Sequence, residues 1–239
     1  ANKVGGIAGA QYWTGVANCD NSGSITGTKS YAKGLNFGSA AGGITGWLVN
    51  RMDIKDCHNS GDINAKGGCG GIVGVSMPQT SAVVYIQDCV NDGDVYGAGI
   101  HVGGIAGVSW NQAGAKYNII QRCVNNGDVT ATSHTAGGIV GNFYDANNAK
   151  QGYIIACENN GTVKAMYYVG GLAGWCQPRA SGPAYYIRNS ANHGDVICTR
   201  TDAQPAYSGG LVGIVSNYAP GLTLKNCYND GKVIYTNNE

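Results

Sequence analysis

Gly103-Gly104-Ile105-Ala106-Gly107 is followed, twenty residues after Gly103, by Cys123-Val124-Asn125-Asn126-Gly127-Asp128-Val129. Gly137-Gly138-Ile139-Val140-Gly141 then begins the pair of boxes again. Working outward, the first box, G-G-[IL]-x-G, begins at Gly5, Gly42, Gly70, Gly103, Gly137, Gly170 and Gly209. The second, C-x-N-x-G-x-[VI], begins at Cys19, Cys57, Cys89, Cys123, Cys157, Ser190 and Cys227, so serine replaces cysteine once. Its Asn column (Asn21, Asn59, Asn91, Asn125, Asn159, Asn192, Asn229) has no exception, and neither has its Gly column (Gly23, Gly61, Gly93, Gly127, Gly161, Gly194, Gly231). Self-similarity at such a period marks solenoids, propellers or arrays.

First boxes follow one another at intervals of 37, 28, 33, 34, 33 and 39 residues. The extra length falls at 26–41 and 197–208. Insertions of that kind suit loops at the corners of a rigid coil, because closure entropy grows slowly with length.

Within a copy the residue types favour strands. Tyr117 to Cys123, Val129 to Thr132, and Ile139-Val140 with its flanks are β-rich runs, and no copy carries helical periodicity over a full window. The expectation is an all-β parallel β-solenoid (β-helix) of about seven coils, with three short strands per coil. A coil cannot bury its apolar side alone, so neighbours stack. Seven coils at roughly 4.8 Å give a rod about 30 Å long. A seven-bladed propeller is the rival, but a blade needs roughly 40–45 residues for four antiparallel strands.

Stacking gives each column a task. Ile54, Ile86, Ile120, Ile154, Ile187 and Leu224, three residues before the second box, form an aliphatic ladder. Ile25, Ile63, Val95, Val129, Val163, Val196 and Val233 form another. The Asn column reads as a ladder of side-chain amides bonded to one another or to local backbone. The Gly-Gly pairs allow close backbone approach or positive φ at corners. Cys19, Cys57, Cys89, Cys123, Cys157 and Cys227 read as a ladder of free thiols. Their parallel Cβ vectors are poorly aimed for disulfides, and a buried thiol behaves as a small hydrophobe. Cys69, Cys176 and Cys198 lie outside that column.

Glycine supplies 40 of 239 residues, more than twice average usage, and charged residues are 12% against roughly 25%. Net charge is +1 with no basic run, which argues against a nucleic-acid partner. No apolar segment is long enough to span a membrane as a helix. The chain starts at Ala1 without Met, as a mature form or an excised piece would. Residues 1–239 read as a single repeat domain of a longer protein.

The two boxes together resemble the GLUG repeat of large bacterial cell-surface proteins, a repeat also found beside some secreted IgA-cleaving metallopeptidases. Gly170-Gly171-Leu172-Ala173-Gly174 and Gly209-Gly210-Leu211-Val212-Gly213 match best, while five copies carry Ile for the Leu. The resemblance covers the whole chain. It implies an extracellular or cell-surface location and brings no catalytic residue, cofactor or metal. HExxH is absent, so that peptidase's zinc motif is not in this chain.

Asp62, Asp94, Asp128 and Asp195 follow the conserved Gly and could line up for Ca²⁺. Ser24, Thr162 and Lys232 interrupt that column, which reads instead as turn residues bonding backbone. His58, His101, His134 and His193 fall in different columns and read as surface residues. The candidate ligand-binding residues are Tyr12, Trp13, Trp47, Trp110, Tyr144, Trp175 and Tyr218, which with Phe143 follow the first boxes closely and would line one edge of the rod. Aromatic rows stack on sugar rings or anchor a protein partner; the alternative is that they cover an apolar corner. Tyr167, Tyr168, Tyr185 and Tyr186 sit in strand-like runs and read as packing. The functional expectation is a non-enzymatic adhesive module or spacer, its partner a glycan or a host surface protein. The alternatives are a protomer that self-associates end to end, since no capping segment is legible, and a carbohydrate-active β-helix enzyme.

Overall fold

The computed structural model describes residues 2–28, 39–50, 53–79, 81–112, 114–145, 151–178, 185–202, 204–216 and 221–236. One coil shows the plan. His101–Gly103, Ala106–Asn111, Tyr117–Gln121, Val124–Asn125 and Val129–Ala131 are its strands. In that order they belong to five sheets, here A to E. Each sheet holds seven parallel strands, one from every coil and stacked in coil order. The fold is a parallel β-solenoid of seven coils.

Each coil has five strands where the sequence suggests three, for two local reasons. The residue before the second box is left-handed in every copy: Asn18, Asp56, Asp88, Arg122, Ala156, Asn189 and Asn226 have φ between 50° and 55°. This corner turns sheet C into sheet D inside what reads as one run. The other corner is the first box, which separates sheet A from sheet B. Its glycines are not left-handed; among the described residues only Gly114 and Gly221 are glycines with positive φ. They are required for close approach instead. A Cβ on Gly104 would overlap both the Asn125 side chain and the Gly138 carbonyl of the next coil.

That contact between the first box and the Asn column forms a waist, and the interior divides into two cores. One, between sheets B, C and D, holds the box aliphatics Ile44, Ile72, Ile105, Ile139 and Leu172 together with Ile54, Ile86, Ile120, Ile154 and Ile187. The other, between sheets A and E, holds Ile63, Val95, Val129, Val163 and Val196. A third, smaller apolar cluster of Ala40, Val49, Val75, Met77 and Val108 lies outside the coil, in the crease between sheets A and B.

The waist is laced by asparagines. Each Nδ2 donates to the next coil's Oδ1, from Asn21 through Asn59, Asn91, Asn125, Asn159 and Asn192 to Asn229, at 2.6–2.8 Å. The same Nδ2 also donates to the carbonyl two residues on, as Asn125 does to Gly127 at 2.7 Å. Buried amides are thereby satisfied in the way a low-dielectric interior demands.

All nine cysteines are free thiols. In the column, Cys123 Sγ donates to the Gln121 carbonyl at 3.3 Å, with the Ile86 carbonyl at 3.4 Å. Ser190 keeps the pattern: its hydroxyl donates to the Arg188 carbonyl at 2.8 Å and accepts the Cys157 N–H at 3.1 Å. Of the three cysteines outside the column, Cys69 and Cys198 line the A/E core and Cys176 the other. Burial pushes the Cys69 and Cys176 thiols up to about 12, so both stay protonated and unreactive.

Candidate binding faces

Sheet C alternates strictly. In Tyr117–Gln121, Asn118 and Ile120 point inward and are buried, while Tyr117, Ile119 and Gln121 are half-buried on the outside. Register then builds outer columns. Tyr85, Ile119, Tyr153 and Tyr186 stand opposite one another, as do Gln87, Gln121, Ile155 and Arg188. Tyr153 stacks on Tyr186 with ring centroids 5.4 Å apart and planes 13° apart, and Tyr117 leans on Tyr153 at 6.0 Å. The Arg188 guanidinium lies 4.3 Å from the Tyr186 ring. Burial, then the neighbouring Tyr117 and Tyr186, hold the Tyr153 phenol above its ordinary range, so it is a neutral donor. Tyr85, Tyr117, Ile119, Gln121, Tyr153 and Ile155 line a shallow open hollow of about 300 Å³.

Sequence reading missed this strip. The available signal was position rather than motif: Tyr85, Ile119, Tyr153 and Tyr186 lie four residues before the second box, next to the inward Ile column. Tyr185, read with Tyr186 as packing, is buried and stacks on Phe143 at 4.4 Å, whereas Tyr186 faces out.

The aromatic residues expected on one edge are divided by the structure. Trp47 and Trp175 share a column of sheet B with Ala10, Val75, Val108, Asn142 and Ile214. Trp110 and Tyr144 pair two residues further along, 5.7 Å apart. Phe143, between the two columns, points into the core. Trp47 and Trp110 pack on the crease cluster, and the Lys3 ammonium sits 3.3 Å from the Trp47 ring centroid. Trp175 donates Nε1–H to Ser216 Oγ at 2.7 Å and touches Tyr168 and His134. Tyr12 and Trp13 are 51% and 74% exposed in the first coil. Tyr218 lies outside the described residues, as do residues 29–38 of the first insertion.

The histidines also divide. His58 bonds Asp92 at 2.7 Å and His193 bonds Asp230 at 2.9 Å, both on the outer side of sheet D. His101 is not a surface residue. It is 6% exposed in the crease, where burial and the neighbouring His134 push it down to about 3. Burial, then Arg200, lowers His134 as well. The Asp column bonds between coils: Asp94 Oδ1 accepts the Asp128 N–H and Asp128 Oδ1 the Thr162 N–H, both at 2.8 Å. Among the described residues no group of three His, Cys, Asp or Glu could hold a metal ion.

Five parallel sheets around a laddered interior, with unrepeated chemistry on the outer columns, define the class: a parallel β-solenoid repeat domain. No protein-family model matches the chain. No curated protein matches it either. Among solved structures it is similar to the crystal structure of a "putative immunoglobulin A1 protease" from Bacteroides ovatus, at 17% identity and a TM-score of 0.49. The match takes in 91% of this chain and 66% of that one, so this chain spans just under two thirds of that protein's length.

Proposed function

We propose that this chain is a non-enzymatic, extracellular β-solenoid domain of a bacterial surface protein, and that it holds a protein partner on the tyrosine strip of sheet C. The strip is the observation that carries this reading. Tyr153 and Tyr186 stack on each other, Tyr117 leans on Tyr153 and Arg188 lies over the Tyr186 ring, so these faces are already used. What reaches solvent is ring edges, phenol hydroxyls and the aliphatic Ile119 and Ile155. Such a surface suits a flat protein contact, in which tyrosine is a favoured anchor, better than a sugar ring, which needs a free aromatic face. The extracellular assignment rests on the resemblance of the two boxes to the GLUG repeat.

The test is an array of host-matrix and cell-surface proteins probed with wild type and with a Tyr117→Ala/Tyr153→Ala/Tyr186→Ala variant. Wild-type binding that is lost in a variant with an unchanged β-rich circular dichroism spectrum supports the reading. Absence of any wild-type signal leaves a spacer. A polysaccharide panel showing product release would overturn the non-enzymatic assignment.

A further inference from the structure

Sheet E carries a groove that is independent of the tyrosine strip. It is a hollow of about 550 Å³ on the outer side of the coil, and Tyr96, Thr130, Thr132, Lys164, Thr199 and Thr201 are among the residues that line it. Tyr96, Thr130 and Lys164 stand on three successive strands in register. We propose that this groove is a saccharide subsite for an acidic disaccharide unit, with one sugar ring on Tyr96 and the carboxylate of its neighbour at Lys164.

Four observations converge on that ligand. Tyr96 is 43% exposed and stacks on no other ring among the described residues, unlike Tyr153 and Tyr186 of sheet C. A free aromatic face is what a pyranose ring packs against. Lys164 is exposed and has no acidic partner among the described residues. An ammonium in that state suits a carboxylate, as a charge-assisted hydrogen bond. Its strand is two spacings from that of Tyr96, about 10 Å, which is the length of two linked pyranose rings.

Thr130 and Thr132 belong to the coil between, and Thr199, Thr201 and Thr236 carry the hydroxyl lining on to the coils beyond Lys164. Thr199 and Thr236 already donate, to the Ala165 carbonyl at 3.3 Å and the Cys198 carbonyl at 3.1 Å. Their oxygens therefore remain as acceptors. Thr130, Thr132 and Thr201 make no side-chain hydrogen bond among the described residues and can both donate and accept. A sugar, which presents donors and acceptors around its whole rim, matches that mixture. A simple inorganic anion matches it poorly, because one lysine is the only cation lining the groove.

The experiment is ligand-observed NMR of the whole chain at low salt, with a hexuronic-acid disaccharide and its neutral hexose counterpart as probes. Wild type should bind the acidic probe in roughly the millimolar range, as expected for a small open site, and the neutral one at least tenfold more weakly. Lys164→Met should bring the acidic probe down to the neutral level. Tyr96→Ala should weaken both probes at least tenfold. Both side chains are exposed, so the variants should melt like wild type, and the strip variant should bind both probes unchanged. No binding of the acidic probe to wild type, equal binding of the two probes, or binding that survives in Lys164→Met and Tyr96→Ala would overturn the proposal. Loss of the signal in the strip variant alone would place the sugar on sheet C and overturn it equally.

Discussion

The waist and the outer face of sheet C lie on the same coils and behave oppositely. At the waist, every copy repeats the same glycine pair against the same asparagine, with amide bonds differing by only 0.2 Å along the rod. On the outer face, one column reads Tyr85, Ile119, Tyr153, Tyr186 and Thr223. Inward positions see identical neighbours above and below, so one solution serves every coil. Outward positions see solvent, and stacking leaves their chemistry free. Repetition therefore reports on folding, and departures from it are where recognition can be written.

The sharpest attempt to break the contrast is Gly104→Ala. The added methyl would meet both Asn125 and the backbone of the next coil, and backbone cannot step aside as a side chain can. A loss of more than about 4 kcal/mol is expected, seen as failure to reach the wild-type β spectrum. Wild-type denaturant stability in this variant would sink the waist argument.

Next comes Asn125→Ala, which leaves one N–H of Asn91, the Oδ1 of Asn159 and the Gly127 carbonyl without their amide partner, while Asn91 keeps its bond to Gly93. Each buried polar group left unpaired costs about 1–3 kcal/mol, so roughly 3–5 kcal/mol should be lost in urea titration. Asn21→Ala, half-buried in the first coil, should lose only about 1 kcal/mol. Equal losses would show that position along the rod does not matter.

His101 offers a pH test. Its folded pKa of about 3 lies below its unfolded value near 6.5, so the unfolded state takes up the proton first. Its contribution to stability is complete above about pH 6.5 and falls as pH drops toward about 3, by at most about 1.4 kcal/mol per unit. Melting temperatures between about pH 7 and about pH 4.5 should fall less steeply in His101→Gln than in wild type. His134, lowered by burial, should keep some slope in the variant.

The smallest expected effect is Tyr153→Ala. The ring is half-buried on an outer column, so the stability loss should stay near 1 kcal/mol. If calorimetry shows a loss as large as that of Asn125→Ala, the strip is a structural element and not a free face.

The solenoid, its seven coils and its inward columns were legible because identical residues recur at one spacing. The strand count was not. The left-handed corner is occupied by Asp88, Arg122 and Ala156 as readily as by Asn189, so no glycine announces it. The glycine pair is conspicuous, but its partner is not, because Gly104 and Asn125 meet only when the coil closes. The crease was hidden for a similar reason. His101 stands in register with Thr135, and that with Tyr168, so it belongs to no column of like residues. The tyrosine strip was visible as an offset from the second box, yet a count of aromatics near the first box points to Trp47 and Trp110, which the crease cluster partly covers.

The asparagine ladder also gives the rod a direction. Every Nδ2 donates toward the higher-numbered coil, so the side-chain dipoles add along the axis instead of cancelling. The ladder is a vector: along the described coils it runs from the acceptor oxygen of Asn21 to the one N–H of Asn229 that is not given to the Gly231 carbonyl. Two rods brought together by a two-fold axis through like poles would set lone pair against lone pair, or N–H against N–H. Any continuation of the ladder, whether by further coils or by another molecule, must therefore keep the same head-to-tail sense.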